Sequence, residues 1–551
     1  KGPAVWSPRA QVDRFMYAQR VRQACEKQEN LDLRQDMGVS LKVENNAVRG
    51  VYGQFGTFYP AKAVILTAGT FLNGIIHIGL KQIPAGRAGE FAAKGMTERL
   101  QELGFKSGRL KTGTPPRLDG KTVNWEKTKP QHGDDPPAPF SFRTRELSVD
   151  QMPCHITYTN GKTHDIIRSG LDQSPMYTGR IQSVGPRYCP SVEDKIVRFA
   201  DKERHQIFLE PEGRDTTEIY VNGFSTSLPE EIQNIAIHTV IGLENVKITR
   251  PGYAVEYDFF SPTQLKPSLE TKLVKGLFFA GQINGTTGYE EAAVQGLMAG
   301  INAALRVRED KPFVLNRGQA YIGVLIDDLI TKGTIEPYRM FTSRAEYRLL
   351  LRQDNADLRL MDRGYNLALI DRETYRAMQT KKAEIQAILA FLEKKWAEPD
   401  DVNSFLNSVG SAQIKEKEKL YNLLKRPEVK LEQMLSALNL QFDYKRSDLA
   451  NEINRQVEIE LKYRGFLNRE RELVDKMKAL ENKKLPESLD FTAIASLSNE
   501  SREKLARLQP ETLGHASRIS GVSPADITSL MIYLAKNSKN VSRETMKSEN
   551  A

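Results

Sequence analysis

Cys189 lies in the run Gly185-Pro186-Arg187-Tyr188-Cys189-Pro190-Ser191-Val192-Glu193-Asp194-Lys195-Ile196-Val197-Arg198-Phe199. Ser191 with Asp194 three residues later is a capping-box-like helix start, and Ile196, Val197 and Phe199 supply an apolar face for that helix. The thiol therefore precedes a helix N-terminus and stands two residues from a guanidinium. Both favour the thiolate, the form that attacks an electrophile. The competing reading of a lone cysteine is a small buried apolar residue, and local sequence leaves the two about even.

A second stretch suits a bound cofactor. Leu277 to Ala280 is a short apolar run, the sign of a strand buried on both faces, and Gly281 ends it. Gln282 follows, with Gly285 and Gly288 in the loop, and Glu290 to Leu305 reads as a helix with acidic residues in its first turn. Strand, glycine turn and helix present bare backbone N–H groups to a ligand, and the Gln282 amide can both donate and accept. Gly296 and Gly300 predict a helix face that approaches a sheet closely. An ordinary strand-to-helix connection has the same pattern. Lys62 to Thr70 supplies a second apolar strand ending in a small-residue turn at Gly69, and Gly38 at the end of an earlier strand could present backbone to an adenine ring.

Two basic clusters suit polyanions. Arg109, Lys111 and Arg117 sit among glycines and hydroxyls and are read as a basic loop, either gripping phosphate or simply solvated. Ser343-x-x-Glu346 resembles a capping box, and Arg344, Arg348 and Arg352 would stripe the helix it starts, with Tyr338, Phe341 and Tyr347 interleaved. The alternative is a salt-bridged solvated face. Cys154-His155 and His164-Asp165 lack metal-ligand spacing, so no metal is expected and their histidines should make ordinary hydrogen bonds.

The elements that carry these groups follow from the rest of the chain. Its 551 residues exceed one core, and no apolar run approaches the ~20 residues of a membrane span. Net charge is +9, which raises the odds of a nucleic-acid partner. Three cysteines without a C-x-x-C fit a reducing compartment rather than a disulfide scaffold. Residues 11–30 predict an amphipathic helix, 31–66 a β-meander, 92–104 a helix, 130–142 a stiff proline-rich surface loop, and 370–396 a charged helix extending outward. A helix, a turn at Gly521 and a helix begun by Ser523-Pro524 close the chain, and residues from about Asn537 read as a frayed tail. The expected fold is α/β: a discontinuous FAD-binding Rossmann-like domain (1–108 and 251–308), an inserted α/β domain (109–250), and an all-α C-terminal domain (309–551). No G-x-G-x-x-G turn occurs and the chain opens at Lys1-Gly2-Pro3, so a further segment is expected upstream.

Several runs together carry a family resemblance: Lys1 to Val5, Gly108 to Arg117, Gly185 to Phe199, His205 to Gly213, Arg250 to Phe260, Phe278 to Ala293, Glu336 to Leu351 and Ala516 to Pro524. Across nearly its whole length the chain resembles the MnmG/GidA family of tRNA uridine 5-carboxymethylaminomethyl modification enzymes. The resemblance implies an FAD enzyme, using NADH and a folate one-carbon donor, that works with an MnmE-type GTPase on C5 of the wobble uridine. It implies FAD contacts at Gly38, Gly69, Gly281, Gln282, Gly285 and Gly288. It implies NAD contacts at Gly185, Pro186, Arg187, Tyr188, Ser191, Glu193, Asp194, Lys195 and Phe199, with Cys189 in catalysis. It also implies a homodimer, a cytoplasmic or mitochondrial location, and a helical C-terminal domain that binds the GTPase and helps hold tRNA. The family's Gly-rich FAD turn and a second cysteine would lie upstream of Lys1. Two rival readings are a folate- and FAD-dependent tRNA uridine methyltransferase, which lacks the long helical domain, and a non-catalytic tRNA-binding scaffold.

Overall fold

The computed structural model describes residues 2–183, 185, 190–486 and 489–534. Residues 38–60 form the expected meander: Gly38–Glu44, Ala47–Gly53 and Phe58–Pro60 pair antiparallel in sequence order. Asn45 and Asn46 turn the first hairpin at φ 51° and 56°, a left-handed pair that asparagine tolerates. Val64–Leu66 and Leu277–Phe279 then pair in parallel, Val64 opposite Leu277 and Leu66 opposite Phe279. Leu277, Phe278 and Phe279 are wholly buried, as an unbroken apolar run requires. Phe105 and Phe260 pack on Phe279 at ring-centroid distances of 5.4 and 5.7 Å.

Beside this pair lies a five-stranded antiparallel sheet in the order Glu90–Phe91, Lys81–Arg87, Ile75–Ile78, Tyr253–Phe260, Ser107–Thr114. The inserted region has its own antiparallel sheet of six strands: Lys129–Gln131, Cys154–Tyr158, Gln206–Pro211, Glu218–Asn222, Arg117–Asp119 and Ile248–Arg250. Helices Gly161–Ser169, Val192–Arg198 and Glu230–Ile237 cover a core that includes Leu118, Ile167, Val192, Ile207 and Val221. The inserted sheet begins at Arg117, because Ser107–Thr114 stays with the preceding body by pairing along all of Tyr253–Phe260.

Three local expectations change. The first helix spans Arg14–Glu26, capped by Asp13, and buries none of its side chains, so Phe15, Met16 and Val21 lie in solvent. The helix expected over 92–104 is Met96–Glu102. In the helix Tyr289–Val307, Gly296 and Gly300 face open space, and Gln295, Met298, Ala299 and Asn302 make the buried face instead.

From Tyr321 onward the described chain is mainly helical. Arg372–Lys394 does not project outward. Ile385, Ile388, Leu389 and Leu392 bury it in a core shared with Leu420, Leu423, Leu435, Ile453 and Val457. A second small core, with Leu505, Leu513, Ala516 and Leu530, holds the last helices. There the Ser523 hydroxyl accepts from the Asp526 N–H at 3.2 Å and starts the helical residues 524–534, as its Ser-Pro start predicts.

A buried ion network joins this last unit to the helix Tyr321–Lys332. Arg518 donates from Nε and Nη2 to both oxygens of Asp327 at 2.6 Å each, and its Nη1 lies 2.5 Å from Glu481. Arg317 reaches Asp327 and Asp328 at 3.0 and 2.8 Å from the other side. No described helix is long and apolar enough to cross a membrane.

Candidate functional site: paired glycine turns and a charged sheet face

The two parallel strands end side by side, and the turn after each holds a glycine at positive φ: Gly69 at 57°, three residues past Leu66, and Gly281 at 85°, two past Phe279. A Cβ on Gly69 would stand 3.8 Å from Gln282 Oε1, so the turn and the amide share one space. A Cβ on Gly285 (φ 76°) would lie 2.5 Å from Thr334 Oγ1, so the glycine is a packing requirement. Gly288 is the N-cap of Tyr289–Val307. Gly38 faces Val51 and Met96 in the interior, so its bare Cα serves packing.

The turn is held by residues that its glycine pattern does not reveal. Gln295 is fully buried. Its Oε1 accepts from Gly281 N at 3.2 Å and Asn284 Nδ2 at 2.9 Å, and its Nε2 donates to Thr286 Oγ1 at 3.0 Å and Glu291 O at 2.9 Å. Glu291 is buried in the first helical turn and accepts from Met340 N at 2.7 Å, which ties the turn to the following helical region. The Tyr257 hydroxyl is buried without a partner at hydrogen-bond distance. Burial pushes its ionisation far up, and the nearby Gln282 amide offsets a little of that. Two backbone turns free of side chains and an amide at their meeting point fit a flat heterocycle with its polar edge toward Gln282.

Next to the turns, one face of the five-stranded sheet is charged. Arg109 is the register partner of Asp258, and Lys111 of Glu256. Arg109 Nη1 donates to Asp258 at 2.6 Å, and Glu256 lies 3.6 Å from both Arg109 and His77. Burial alone would raise the Glu256 carboxyl, but His77, Ser183 and Arg109 around it bring it below the usual range. Both ring nitrogens of buried His77 and the Ser183 hydroxyl lack hydrogen-bond partners.

The run Gly108–Arg117 is thus not a solvated basic loop: Arg109 and Lys111 lie on the strand Ser107–Thr114, and Arg117 opens the strand Arg117–Asp119 of the inserted sheet. Its cations are engaged within the protein: Lys111 Nζ lies 3.0 Å from Met176 Sδ, and Arg117 Nε 2.5 Å from the buried Glu212, which Arg14 also pairs at 2.7 Å. The Arg344–Arg348–Arg352 stripe is likewise not a helix face. A short 3₁₀ turn, Thr342–Arg344, gives way to irregular chain in which Ala345, Tyr347, Leu349 and Leu351 are buried in alternation. Arg352 is buried on Asp354 and Gln456, Arg344 stacks on Tyr338 at 4.3 Å, and Arg348 is exposed.

Cys189, Arg187, Pro186 and Tyr188 lie outside the described residues. Around them, Ser191 caps the helix Val192–Arg198, its hydroxyl accepting from Asp194 N at 3.2 Å. Glu193 is buried and accepts from Thr226 Oγ1 and Ser227 N at 3.1 Å each, while Lys195 donates to Gly223 O at 2.8 Å. These residues fasten the helix to the segment 223–228. A Cβ on Gly185 would meet the Lys111 stem at 3.3 Å, and Phe199 is exposed. Tyr177, pushed up to about 12 by burial and then by Asp194 and Glu193, stays a neutral donor there. His155 and His164 are hydrogen-bonded to Thr128 and Thr159 at 2.8 Å each.

Comparison with known proteins assigns a family to each part. Residues 1–311 match the family "Glucose inhibited division protein A". Residues 372–471 match the tRNA modifying enzyme MnmG/GidA C-terminal helical domain, and 473–551 the corresponding C-terminal helical bundle. A tRNA uridine 5-carboxymethylaminomethyl modification enzyme MnmG of Christiangramia forsetii is 54% identical over 97% of this chain and 86% of its own length. A protein of the same name from Cytophaga hutchinsonii is 55% identical over the same shares. Crystal structures of Aquifex aeolicus GidA match with TM-scores of 0.88 and 0.87, at 46% and 47% identity. They cover 97% of this chain and 85% and 86% of theirs.

Proposed function

Because the chain belongs to the MnmG/GidA family, we propose that it modifies tRNA, adding a carboxymethylaminomethyl-type group at C5 of the wobble uridine. The family is FAD-dependent. The observation that carries the reading to this chain's own atoms is the pair of side-chain-free turns at Gly69 and Gly281 with the Gln282 amide between them. FAD, when bound, supplies the redox chemistry. The protein's part is to seat the ring edge at Gln282 and to exclude water through the buried Gln295–Asn284 network.

The remaining chemistry is assigned to the loop before Ser191. C5 of uridine is a poor nucleophile. A thiolate from Cys189 that adds to C6 forms an enolate, and C5 of the enolate attacks an electrophilic methylene carbon whose C=N π pair passes to nitrogen. Loss of the C5 proton then expels the thiolate and restores the ring. NADH as hydride donor, a folate one-carbon unit, an MnmE-type GTPase on the helical domains and a homodimeric assembly complete the reading. The helical units matched over 372–551 favour it over a uridine methyltransferase.

The test has two parts. After incubation with excess FAD and gel filtration, the protein should retain a visible flavin spectrum. With the GTPase, NADH and folate donor, nucleoside analysis of tRNA should show an aminomethyl-type uridine, and Cys189→Ser should abolish it while tRNA affinity stays unchanged. Full modification by Cys189→Ser removes the thiolate step, and 5-methyluridine as the product overturns the assignment.

A further inference from the structure

With Arg109, Lys111, Arg117 and Arg352 occupied inside the protein, the contacts that hold tRNA must be sought elsewhere. The first helical unit carries a surface built for them. Trp396–Ala397 pairs antiparallel with Glu418–Lys419, and Trp396 is opposite Lys419. The indole is 48% exposed, and Lys419 and Lys417 lie over it at 5.3 and 5.8 Å from the ring centre. Two residues on, Tyr421 takes Lys425 at 3.9 Å and Arg464 at 4.7 Å. Tyr421 is half-buried against the helical core, and Arg464 ties it toward the indole by also pairing with Glu393 at 2.8 Å, three residues before Trp396.

Of the carboxylates nearest in sequence, Glu393 is taken by Arg464 and Glu418 by Arg426, Glu398 and Glu416 are exposed, and Lys417 and Lys419 make no ion pair among the described residues. Further exposed lysines flank the indole at Lys394, Lys395 and Lys415. An exposed ring ringed by unneutralised cations is poor protein core and poor protein interface, where lysine is depleted. It is the arrangement that binds unpaired nucleotides: bases stack on the aromatic face and phosphates lie along the cations.

We propose that Trp396 and Tyr421, with Lys417, Lys419 and Lys425, form a binding platform for unpaired nucleotides of tRNA. The proposal rests on tRNA being the substrate, and it assigns the contact to this hairpin, alongside the exposed Arg348, in place of the cations engaged within the protein.

The experiment is fluorescence anisotropy of labelled tRNA with the full chain over a series of salt concentrations. Trp396→Ala should weaken binding about tenfold, the loss expected for one stacked base. Trp396→Phe, which keeps a ring, should stay within about threefold of wild type. Lys417 is exposed and Lys419 half-buried in the hairpin, and neither belongs to the apolar core, so Lys417→Gln/Lys419→Gln keeps the fold. It should flatten the slope of log affinity against log salt by about 1.4, from about 0.7 for each single-strand phosphate contact. Wild-type binding with both affinity and slope unchanged in these variants overturns the platform and leaves the tRNA reading standing. Failure of the wild-type chain to bind tRNA overturns both.

Discussion

Removing the Arg518 guanidinium should undock the last helical unit while leaving the rest of the protein folded. In Arg518→Ala, Asp327 loses two hydrogen bonds of 2.6 Å and Glu481 loses its contact at 2.5 Å. Asp327 is buried and keeps the Arg317 contact at 3.0 Å, with the His515 ring 3.8 Å away. Breaking a buried ion pair by deleting one partner costs about 3–5 kcal/mol. The surviving Arg317 contact argues for the lower end, about 3 kcal/mol, which is roughly a hundredfold in the docking equilibrium. Hydrogen exchange reads this directly. Amides of Leu513–Arg518 should lose about two orders of magnitude of protection, while those of Leu277–Phe279 keep theirs. Arg518→Lys, a point charge without the fork, should fall between. Protection within fivefold of wild type in Arg518→Ala would refute the assignment of docking to this network.

Three further outcomes follow from geometry. Gln295→Leu leaves Gly281 N and Thr286 Oγ1 without this partner and Asn284 Nδ2 with Phe279 O alone, so it should destabilise by about 2–3 kcal/mol and lower the flavin-to-protein absorbance ratio after gel filtration. His164 and His205 are held below their ordinary range by burial first, and His205 also by His164. A depressed folded-state value means that their neutral forms support stability above pH 6.5 and that this support is lost as pH falls below it. The inserted domain should therefore unfold more easily in urea at pH 5 than at pH 7.5, and His164→Gln should shrink that difference. Arg117→Ala should lower the melting temperature by exposing the buried Glu212 charge, whereas exposed Arg348→Glu should leave it unchanged and alter only tRNA affinity.

The sequence revealed elements whose cause is local and hid those whose cause is distant. The strands at Val64 and Leu277 were legible as apolar runs closed by glycine, and the meander by its Asn45-Asn46 turn. The strand Ser107–Thr114 was not. What makes it a strand is the opposite charge of Asp258 and Glu256 in register with Arg109 and Lys111, far along the chain. The region 343–352 carries two periods at once: arginines every four residues suggest a helix, while the apolar residues 345, 347, 349 and 351 alternate. Burial follows the second, because an apolar side chain gains more from leaving water than an arginine stripe gains from alignment. Gln295 and Asn284 had no local signal as turn supports. A buried amide inside a helix reads as neutral until its partners are seen. Their signal was composition alone, two polar residues at positions that the surrounding pattern marks as core.

The strands Ser107–Thr114 and Tyr253–Phe260 are both the way into the inserted domain and the way out, and Thr114 is directly opposite Tyr253. Topologically, everything from Pro115 to Gly252 is the loop of one long hairpin. Such opposed residues sit about 5 Å apart, so a two-residue turn could bridge them in place of the whole domain, with the loss of its contacts to Lys111, Gly79 and Arg14. The body that carries the glycine turns can then be prepared without the Cys189 loop, and the flavin seat can be separated from the thiol in two proteins instead of by point substitution.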